Sequence, residues 1–423
     1  MNTASRVTVA IGAGLYTVGT LIFQTDGRRQ HSVFMYNDEW LERPDAFALA
    51  PDMPLADSKM FFSGSRGNSL PGIVSDAAPD SWGRALIARD LGYPPNDLEC
   101  LLAANDETRV GALRFLDEEG RPLAFSEPPV PRLADLKGLQ ELNRTFERGG
   151  GDMQEVVRKL RGAAGSLGGA RPKSDFDDDG ALAIAKYTSD RDTMPIERME
   201  VATLNLAARV GLRAAQAQLA LKDSKYPVAI IRRFDREAET GMRRHYASAQ
   251  TMLAKADGEA GHYTDIVDAM RAHGGTAEQF LREVHELFMR LLFTILVSNN
   301  DDHLKNHGFL HAGENGWMLS PAFDINPQPY RQRGLETGIS PLSGTEASIE
   351  AAIEAAPLFE IDENIARNTA FLMATQISEE WRKRCLDAGM TSGDCKVYSP
   401  AFEHPEMSLA LRLGKIRVPV HGV

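Results

Sequence analysis

At 423 residues with 43% hydrophobic content, the chain is long enough for two or three domains and apolar enough for a sizeable core. Its formal net charge of -12 argues against a protein that grips nucleic acid through a broad basic surface. Three scattered cysteines, Cys100, Cys385 and Cys395, make neither a CxxC pair nor an even disulfide framework, which fits a reducing cytoplasm. Glycines at 12, 14 and 19 break any apolar leader, and the most apolar run, Leu287 to Val297, is short of the roughly 18 residues a bilayer needs and carries Arg290. The expectation is a soluble, cytoplasmic protein with no membrane partner.

Residues 6 to 36 alternate β-rich segments with turn signals, and Asp26-Gly27 between Leu21-Ile22-Phe23 and Val33-Phe34-Met35-Tyr36 predicts a hairpin in a small antiparallel sheet. Gly12-Ala13-Gly14 resembles the start of a dinucleotide fingerprint, but Thr17 and a following β-rich segment stand where a glycine and a helix are required, so it reads as a turn. From Ala78 to Leu102 the pattern is helical, with Pro79-Asp80-Ser81 and Pro94-Pro95-Asn96-Asp97 as helix openings, and Val110 to Phe115 reads as a returning strand. The cluster Glu127-Pro128-Pro129-Val130-Pro131 marks a boundary, placing the end of a first, β-rich domain near residue 125.

Residues 133 to 160 read as helical, and Gly162 to Lys173 is glycine-rich. Such a stretch lets backbone N–H groups approach phosphate oxygens, with Arg171 or Lys173 adding charge, or it is a flexible linker. Pro172 before Lys173-Ser174 excludes a Walker A loop. Asp177-Asp178-Asp179-Gly180 is a turn, and Leu182 to Tyr187 is a strand carrying Lys186. A helix follows over Val201 to Val210, with Glu200, or alternatively Glu197, able to pair with that lysine. Val228 to Ile231 is a short strand whose exit, Arg232-Arg233-Phe234-Asp235-Arg236, is a place for adenine to lie against backbone groups, or simply a strand with a charged end. Ala247 to Ala254 reads as helix-like and Asp257 to Gly261 as an acidic loop.

Thr276 and Gln279 fit a capping box, and Phe280, Val284, Leu287, Phe288, Leu291, Leu292 and Ile295 recur at helical spacing. This core helix ends in an abruptly polar run, Ser298 to Asn306. Beyond it, Gly308-Phe309-Leu310 and Trp317-Met318-Leu319 look like a hairpin, and from Glu336 the chain is mostly helical, including Ala351 to Ala356, Ile365 to Leu386 and, after a polar loop, Ser408 to Leu413.

Asp301 and Asn306 stand five apart, as the catalytic Asp and Asn of protein kinases do, and Asp324 follows as a second metal-ligand candidate. Phosphoryl transfer needs a carboxylate at the attacking hydroxyl, Mg²⁺ at the phosphates and cations on them. Asp301 fits the first role, Asn306 and Asp324 the second, and Lys186 with the glycine stretch positions ATP, while Lys305 neutralises developing charge. A competing reading takes Asp302, His303 and His307 as metal ligands, since His303 and His307 share the i, i+4 spacing of one helix face. The asparagines before and Gly308 after favour a loop, leaving His303 as a hydrogen-bond partner that orders the loop.

The residues Pro79-Asp80-Ser81-Trp82-Gly83-Arg84, Val110-Gly111-Ala112, Gly168 to Lys173, Ile184-Ala185-Lys186, Arg233-Phe234-Asp235-Arg236, Asn299 to Asn306 and Leu319 to Asp324 together resemble HipA-family serine/threonine kinases, the toxins of bacterial toxin–antitoxin pairs. The resemblance runs over nearly the full length. It implies an α+β, two-lobed, protein-kinase-like fold with a β-rich N-terminal subdomain over 1–125, an N-lobe over 126–240 with the glycine-rich loop and ATP lysine, and a helical C-lobe over 241–423. It implies ATP and Mg²⁺ as cofactors, Asp301 as catalytic aspartate beside Lys305, and Asn306 and Asp324 as metal ligands. ATP-side residues would be Gly168, Gly169, Lys173, Lys186, Arg232, Phe234 and His303, with Ser166 in the glycine loop as a self-phosphorylated serine that silences the enzyme. Arg232 departs from the acidic hinge residue expected from the family's best-known member. The implied partners are a HipB-like helix-turn-helix antitoxin, operator DNA mainly through that antitoxin, and a protein substrate of the aminoacyl-tRNA synthetase class. Two other readings share these residues: a kinase of a small molecule, and a catalytically silent antitoxin-binding co-repressor.

Overall fold

The computed structural model describes residues 3–26, 29–64, 69–123, 130–150, 152–164, 171–237, 239–330 and 333–414. The chain forms two compact units, one of Met1–Asp192, Gln218–Glu259 and Gly308–Gly316, the other of Thr193–Ala217, Ala260–His307 and Trp317–Val423. Among the described residues no helix is long and apolar enough to cross a membrane.

The first unit opens with β1 (Thr3–Ile11), β2 (Tyr16–Asp26), β3 (Arg29–Tyr36), β4 (Met60–Ser63) and β5 (Leu113–Leu116), an antiparallel sheet ordered β4-β3-β2-β1-β5. Pairing of Asp26 with Arg29 closes the hairpin that Asp26-Gly27 announces. Gly19 is required there, because a Cβ at that position would stand 2.2 Å from the Met35 carbonyl oxygen on β3. Asn96 and Glu99 form a reciprocal capping box that starts the Asp97–Ala103 helix, so the expected cap is present.

A second sheet in this unit contains β6 (Lys173–Asp178), β7 (Ala181–Tyr187), β8 (Ala217–Ala220) and β9 (Val228–Arg232), in the order β6-β7-β9-β8. One face, bearing Ala183, Ala185, Tyr187, Val228 and Ile230, buries against Trp82 and Leu86 of the Ser81–Leu91 helix, Leu136 and Leu139 of Leu136–Arg148, and Val156 and Leu160 of Met153–Ala164. Strand alternation therefore turns Leu182, Ile184 and Lys186 to the other face.

The stretch Ala247 to Ala254 corrects our helical expectation. Tyr246–Ser248 is a strand, antiparallel to Gly308–Leu310, and only Ala249–Met252 is helical. The partner strand lies some sixty residues downstream, so no local pattern betrays the pairing.

The second unit is mostly helical. The Ala277–Val297 helix has the expected buried stripe, with Val284, Leu287, Leu291, Leu292 and Ile295 all fully buried, and Thr276 caps it by accepting the Gln279 N–H. The Glu363–Asp387 helix packs on Ile196–Arg209, Ser392–Phe402 and Pro405–Leu413. Two helices escape the sequence reading: Tyr263–His273, and Ser392–Phe402 within the stretch taken as a polar loop.

Burial holds three histidines neutral. His404 donates from Nε2 to the Leu296 carbonyl at 3.0 Å and accepts the Met407 N–H at Nδ1 at 3.1 Å, a pattern that only the neutral ring can make. Its pKa is pushed down to about 4, by burial first and then by Arg333. His245 and His311 in the first unit are likewise lowered to about 4 by burial. The unfolded chain protonates these rings near the ordinary value of about 6.5, so in the window between 6.5 and 4 it binds more protons than the native state. We predict that the thermal midpoint falls steadily as pH drops from 6.5 to 4, and that His404→Gln flattens part of that slope. A midpoint constant across this window contradicts the account.

Candidate functional site

In the first unit, the β6–β7 turn places Asp179 at φ 51° and Gly180 at φ 87°, and the Gly180 N–H donates to Asp177 Oδ1 at 2.7 Å. This tight turn fixes a register in which Lys173 lies directly opposite Lys186. Both lie on the face away from the helical core, where two positive charges stand directly opposed across the strand pair. Ala229, the β9 residue opposite Lys186, is three residues from Arg232, roughly 10 Å along the strand at about 3.3 Å per residue.

Not all the candidates share that face. Arg232 pairs with Ala183, whose side chain lies in the helical core, so the Arg232 side chain alternates away from Lys186 and only the main chain at the strand exit is common to both. A cleft of about 220 Å³ opens at that end, lined in part by Ala181, Leu182, Arg232, Arg233 and Arg236. Phe234 is half-buried, its ring tilted against Tyr246 at 6.2 Å. Arg171 forks onto both Asp192 oxygens at 2.7 and 2.6 Å, which commits to a carboxylate the charge considered for phosphate. Ser166, Gly168 and Gly169 lie outside the described residues.

The motif Arg233-Phe234-Asp235-Arg236 turns out to be a buried brace. Asp235 accepts from Arg233 Nε at 2.8 Å, from Arg236 Nη1 at 2.8 Å and from the Gly111 N–H at 2.8 Å. Arg233 also reaches the Thr108 and Arg109 carbonyls and stands 3.2 Å from Asp175. The guanidinium groups hold the Asp235 carboxyl far below the usual range against the pull of burial, whereas burial pushes Asp175 up to about 6.

In the second unit, the Ala277–Val297 helix carries a buried charge ladder. Glu283 accepts the Leu319 N–H at 2.9 Å and Arg213 at 2.8 Å. Arg290 bonds Glu286 and the Ser320 carbonyl. Ala322 in turn donates to the Arg213 carbonyl at 2.7 Å. The segment leading to Asp324 is thereby fixed to the same helix that ends in the polar loop.

That helix stops at Ser298, whose φ of 56° turns the chain sharply. The Ser298 carbonyl accepts the Gln328 N–H at 2.9 Å, and Asn299 Oδ1 accepts the Asn326 N–H at 2.9 Å. Asn326 Nδ2 then donates to Asp324 Oδ1 at 3.0 Å. Asp324 itself has φ 55°, a strained left-handed conformation for a non-glycine residue. After Asp301 the loop makes a single 3-10 turn, Leu304–Asn306, and Asn306 Nδ2 donates to the Asp301 carbonyl at 2.8 Å. That bond leaves the amide oxygen Oδ1 as the ligand-type atom of Asn306.

The competing metal reading does not survive this geometry. Asp302 is buried and bonded to the Tyr263 hydroxyl, with His307 Nε2 at 3.3 Å, whereas His303 is exposed. Among the described residues no group of three or more His, Cys, Asp or Glu side chains is arranged to hold a metal ion. Mg²⁺ does not require one, because it takes one or two hard oxygen ligands and completes its shell with water and phosphate. The Asp324 carboxylate and Asn306 carboxamide fit that demand.

The Asp301 carboxyl is raised above its ordinary value, by burial first, with Asp324, Glu336 and Asp302 adding to the rise and His303 opposing it. A carboxyl shifted in this direction is suited to taking a proton, and the surrounding negative charge attracts a cation. Lys305 sits half-buried on the 3-10 turn. Glu336 and Tyr263 are the contributors that sequence reasoning missed, since neither lies in a recognisable motif. We predict that the Asp301 carboxyl titrates above the usual aspartate value in ¹³C NMR and that Glu336→Gln lowers it; an unchanged titration contradicts the electrostatic coupling.

The chain matches the family model described as HipA N-terminal domain over residues 10–116 and that described as HipA-like C-terminal domain over residues 165–382. It is 27% identical over 321 residues to the candidate kinase Y4dM of Sinorhizobium fredii, covering 73% of this chain and 74% of that one. Among solved structures, it is similar to a chain of the Shewanella oneidensis MR-1 toxin–antitoxin complex of HipA, HipB and operator DNA, with a TM-score of 0.66 and 15% identity over 97% of this chain and 99% of that one. At that identity the likeness shows the fold, the kinase-like α+β class expected from the sequence.

Proposed function

We propose that this chain, which belongs to the HipA family, is an ATP-dependent serine/threonine protein kinase. The observation that carries the reading is the stitched loop. Asp301, Asn306 and Asp324 are tied through Ser298, Asn299 and Asn326 into one short arrangement, with the spacing and donor types that phosphoryl transfer uses.

In this reading Asp301 accepts the proton of a serine or threonine hydroxyl, its raised carboxyl being suited to that step. Lys305 adds positive charge beside the transferred group. Asn306 and Asp324 would hold Mg²⁺, whose chemistry is neutralisation of charge on the phosphates. Lys173 and Lys186, opposite one another on β6 and β7, supply positive charge to the phosphates. The main chain at Arg232 and Phe234 takes the adenine side, and His303, exposed at the loop, approaches the nucleotide. Gly168 and Gly169 cover the phosphates, and phosphorylation of Ser166 silences the kinase because a dianion in that stretch repels ATP. The functional parts are 1–125, 126–240 and 241–423.

We further propose a toxin role in the cytoplasm, with a translation component of the aminoacyl-tRNA synthetase class as substrate. A HipB-like antitoxin would be the partner, making contact with operator DNA on the chain's behalf. The likeness to the Shewanella assembly and the net charge of -12, which is unfavourable for direct DNA binding, support this part.

Incubating purified chain with Mg-ATP carrying a γ-phosphoryl label and cell lysate tests the reading. Label is expected on protein serine or threonine, including the chain itself, and Asp301→Asn should slow incorporation about 100- to 10,000-fold, the usual range for removing a general base. An unlabelled wild type, or equal rates in the two proteins, refutes it.

A further inference from the structure

Asp301 is adjacent to a carboxylate that does something quite different. Asp302 is buried, and its side chain accepts the Tyr263 hydroxyl, with His307 Nε2 at 3.3 Å as a second, electrostatic neighbour. The Tyr263 and His307 rings meet edge to face, with centroids 5.0 Å apart. Thr294 Oγ1 stands 3.5 Å from the Tyr263 oxygen, and the Asp302 carbonyl accepts the Thr337 N–H at 3.2 Å. A charged carboxylate so deeply buried is tolerated only where donors meet it, so the donors decide where residue 302 sits.

Three chain segments interlock at this point. Gly261 and His262 pair in parallel with Thr337 and Gly338, which brings Thr337, on one strand, and Tyr263, the first residue of the helix that follows the other, to Asp302. Gly261 is closely packed by the loop, since a Cβ there would stand 2.9 Å from Leu304 Cδ1. Burial and the Asp302 charge keep the Tyr263 phenol far above its ordinary pKa, so its hydroxyl is a donor throughout the working pH range.

We infer that Tyr263 is a positioning residue: its hydroxyl, with His307, clamps the Asp302 carboxylate inward and thereby fixes Asp301, the next residue back, in its outward, reactive orientation. This deepens the kinase reading and rests on it. Removing the hydroxyl leaves the ring packed and the charge at 302 short of a donor, so the 301–302 backbone loses its anchor while the ATP-side lysines are untouched.

The test is Tyr263→Phe in the full chain, with Mg-ATP as substrate and both ADP release and self-labelling as readouts. Loss of an outer supporting contact of this kind typically costs about 10- to 100-fold. We expect kcat to fall by about that factor while the KM for ATP stays within about twofold and the thermal midpoint shows a folded protein. In a cycle with Asp302→Asn, the second substitution should cost little once the first is made, because both break one clamp. Wild-type kcat in folded Tyr263→Phe, or losses that simply multiply, overturns the inference. A wild type with neither ADP release nor self-label removes the kinase reading instead. The clamp is then judged by a crystal structure of Tyr263→Phe: displacement of the 301–302 backbone supports it, and an unmoved backbone with Asp302 still buried against His307 overturns it.

Discussion

A 21-residue helix with a nearly continuous apolar face has to end where its last buried residue ends, and the manner of that ending organises the second unit. Ser298 adopts a left-handed conformation, its hydroxyl donates to the Ala401 carbonyl, and its own carbonyl receives the Gln328 N–H. With Asn299 holding the Asn326 N–H, the turn joins three stretches far apart in sequence. The loop bearing Asp301 and the segment bearing Asp324 are thus positioned by hydrogen bonds of the backbone and of short Ser and Asn side chains, which have few rotamers to lose. The strained φ at Asp324 is sustained by this over-determination.

The first unit solves a comparable problem with buried charge. The Arg233-Asp235-Arg236 brace seizes the carbonyls of Thr108, Arg109 and Gly111 and so binds the loop before β5 to the exit of β9. Breaking one member of such a network strands an uncompensated charge, which is far more costly than never having buried the pair. The sequence motif therefore reads as architecture as much as chemistry. It fixes the strand exit whose main chain we assign to the adenine side.

Much of this was legible in the residues because the relevant signals are local. The shift from apolar to charged residues at Val297, the Asp-Gly turns at 26–27 and 179–180, and the stripe from Val284 to Ile295 each depend on neighbours within a turn or two. The losses are non-local. Tyr246–Ser248 is a strand because of Gly308–Leu310, the Arg171 charge is absorbed by Asp192, and the Ser392–Phe402 helix carries Pro400, a residue type that disfavours helix interiors. Arg232 shows a subtler gap: a motif match identifies the position, but strand parity decides which face the side chain takes. Tyr263 has no motif at all, and its relation to Asp302 exists only once Gly261–His262 pairs with Thr337–Gly338.

The central claim is that Asp301 drives transfer of a phosphoryl group to protein hydroxyls. Phosphopeptide mass spectrometry after brief expression of wild type and of Asp301→Asn in parallel tests it most directly. The account predicts serine and threonine phosphopeptides, from a translation component and from the Ser166 peptide, that appear only with the wild-type chain. An identical phosphopeptide set in the two cultures contradicts it.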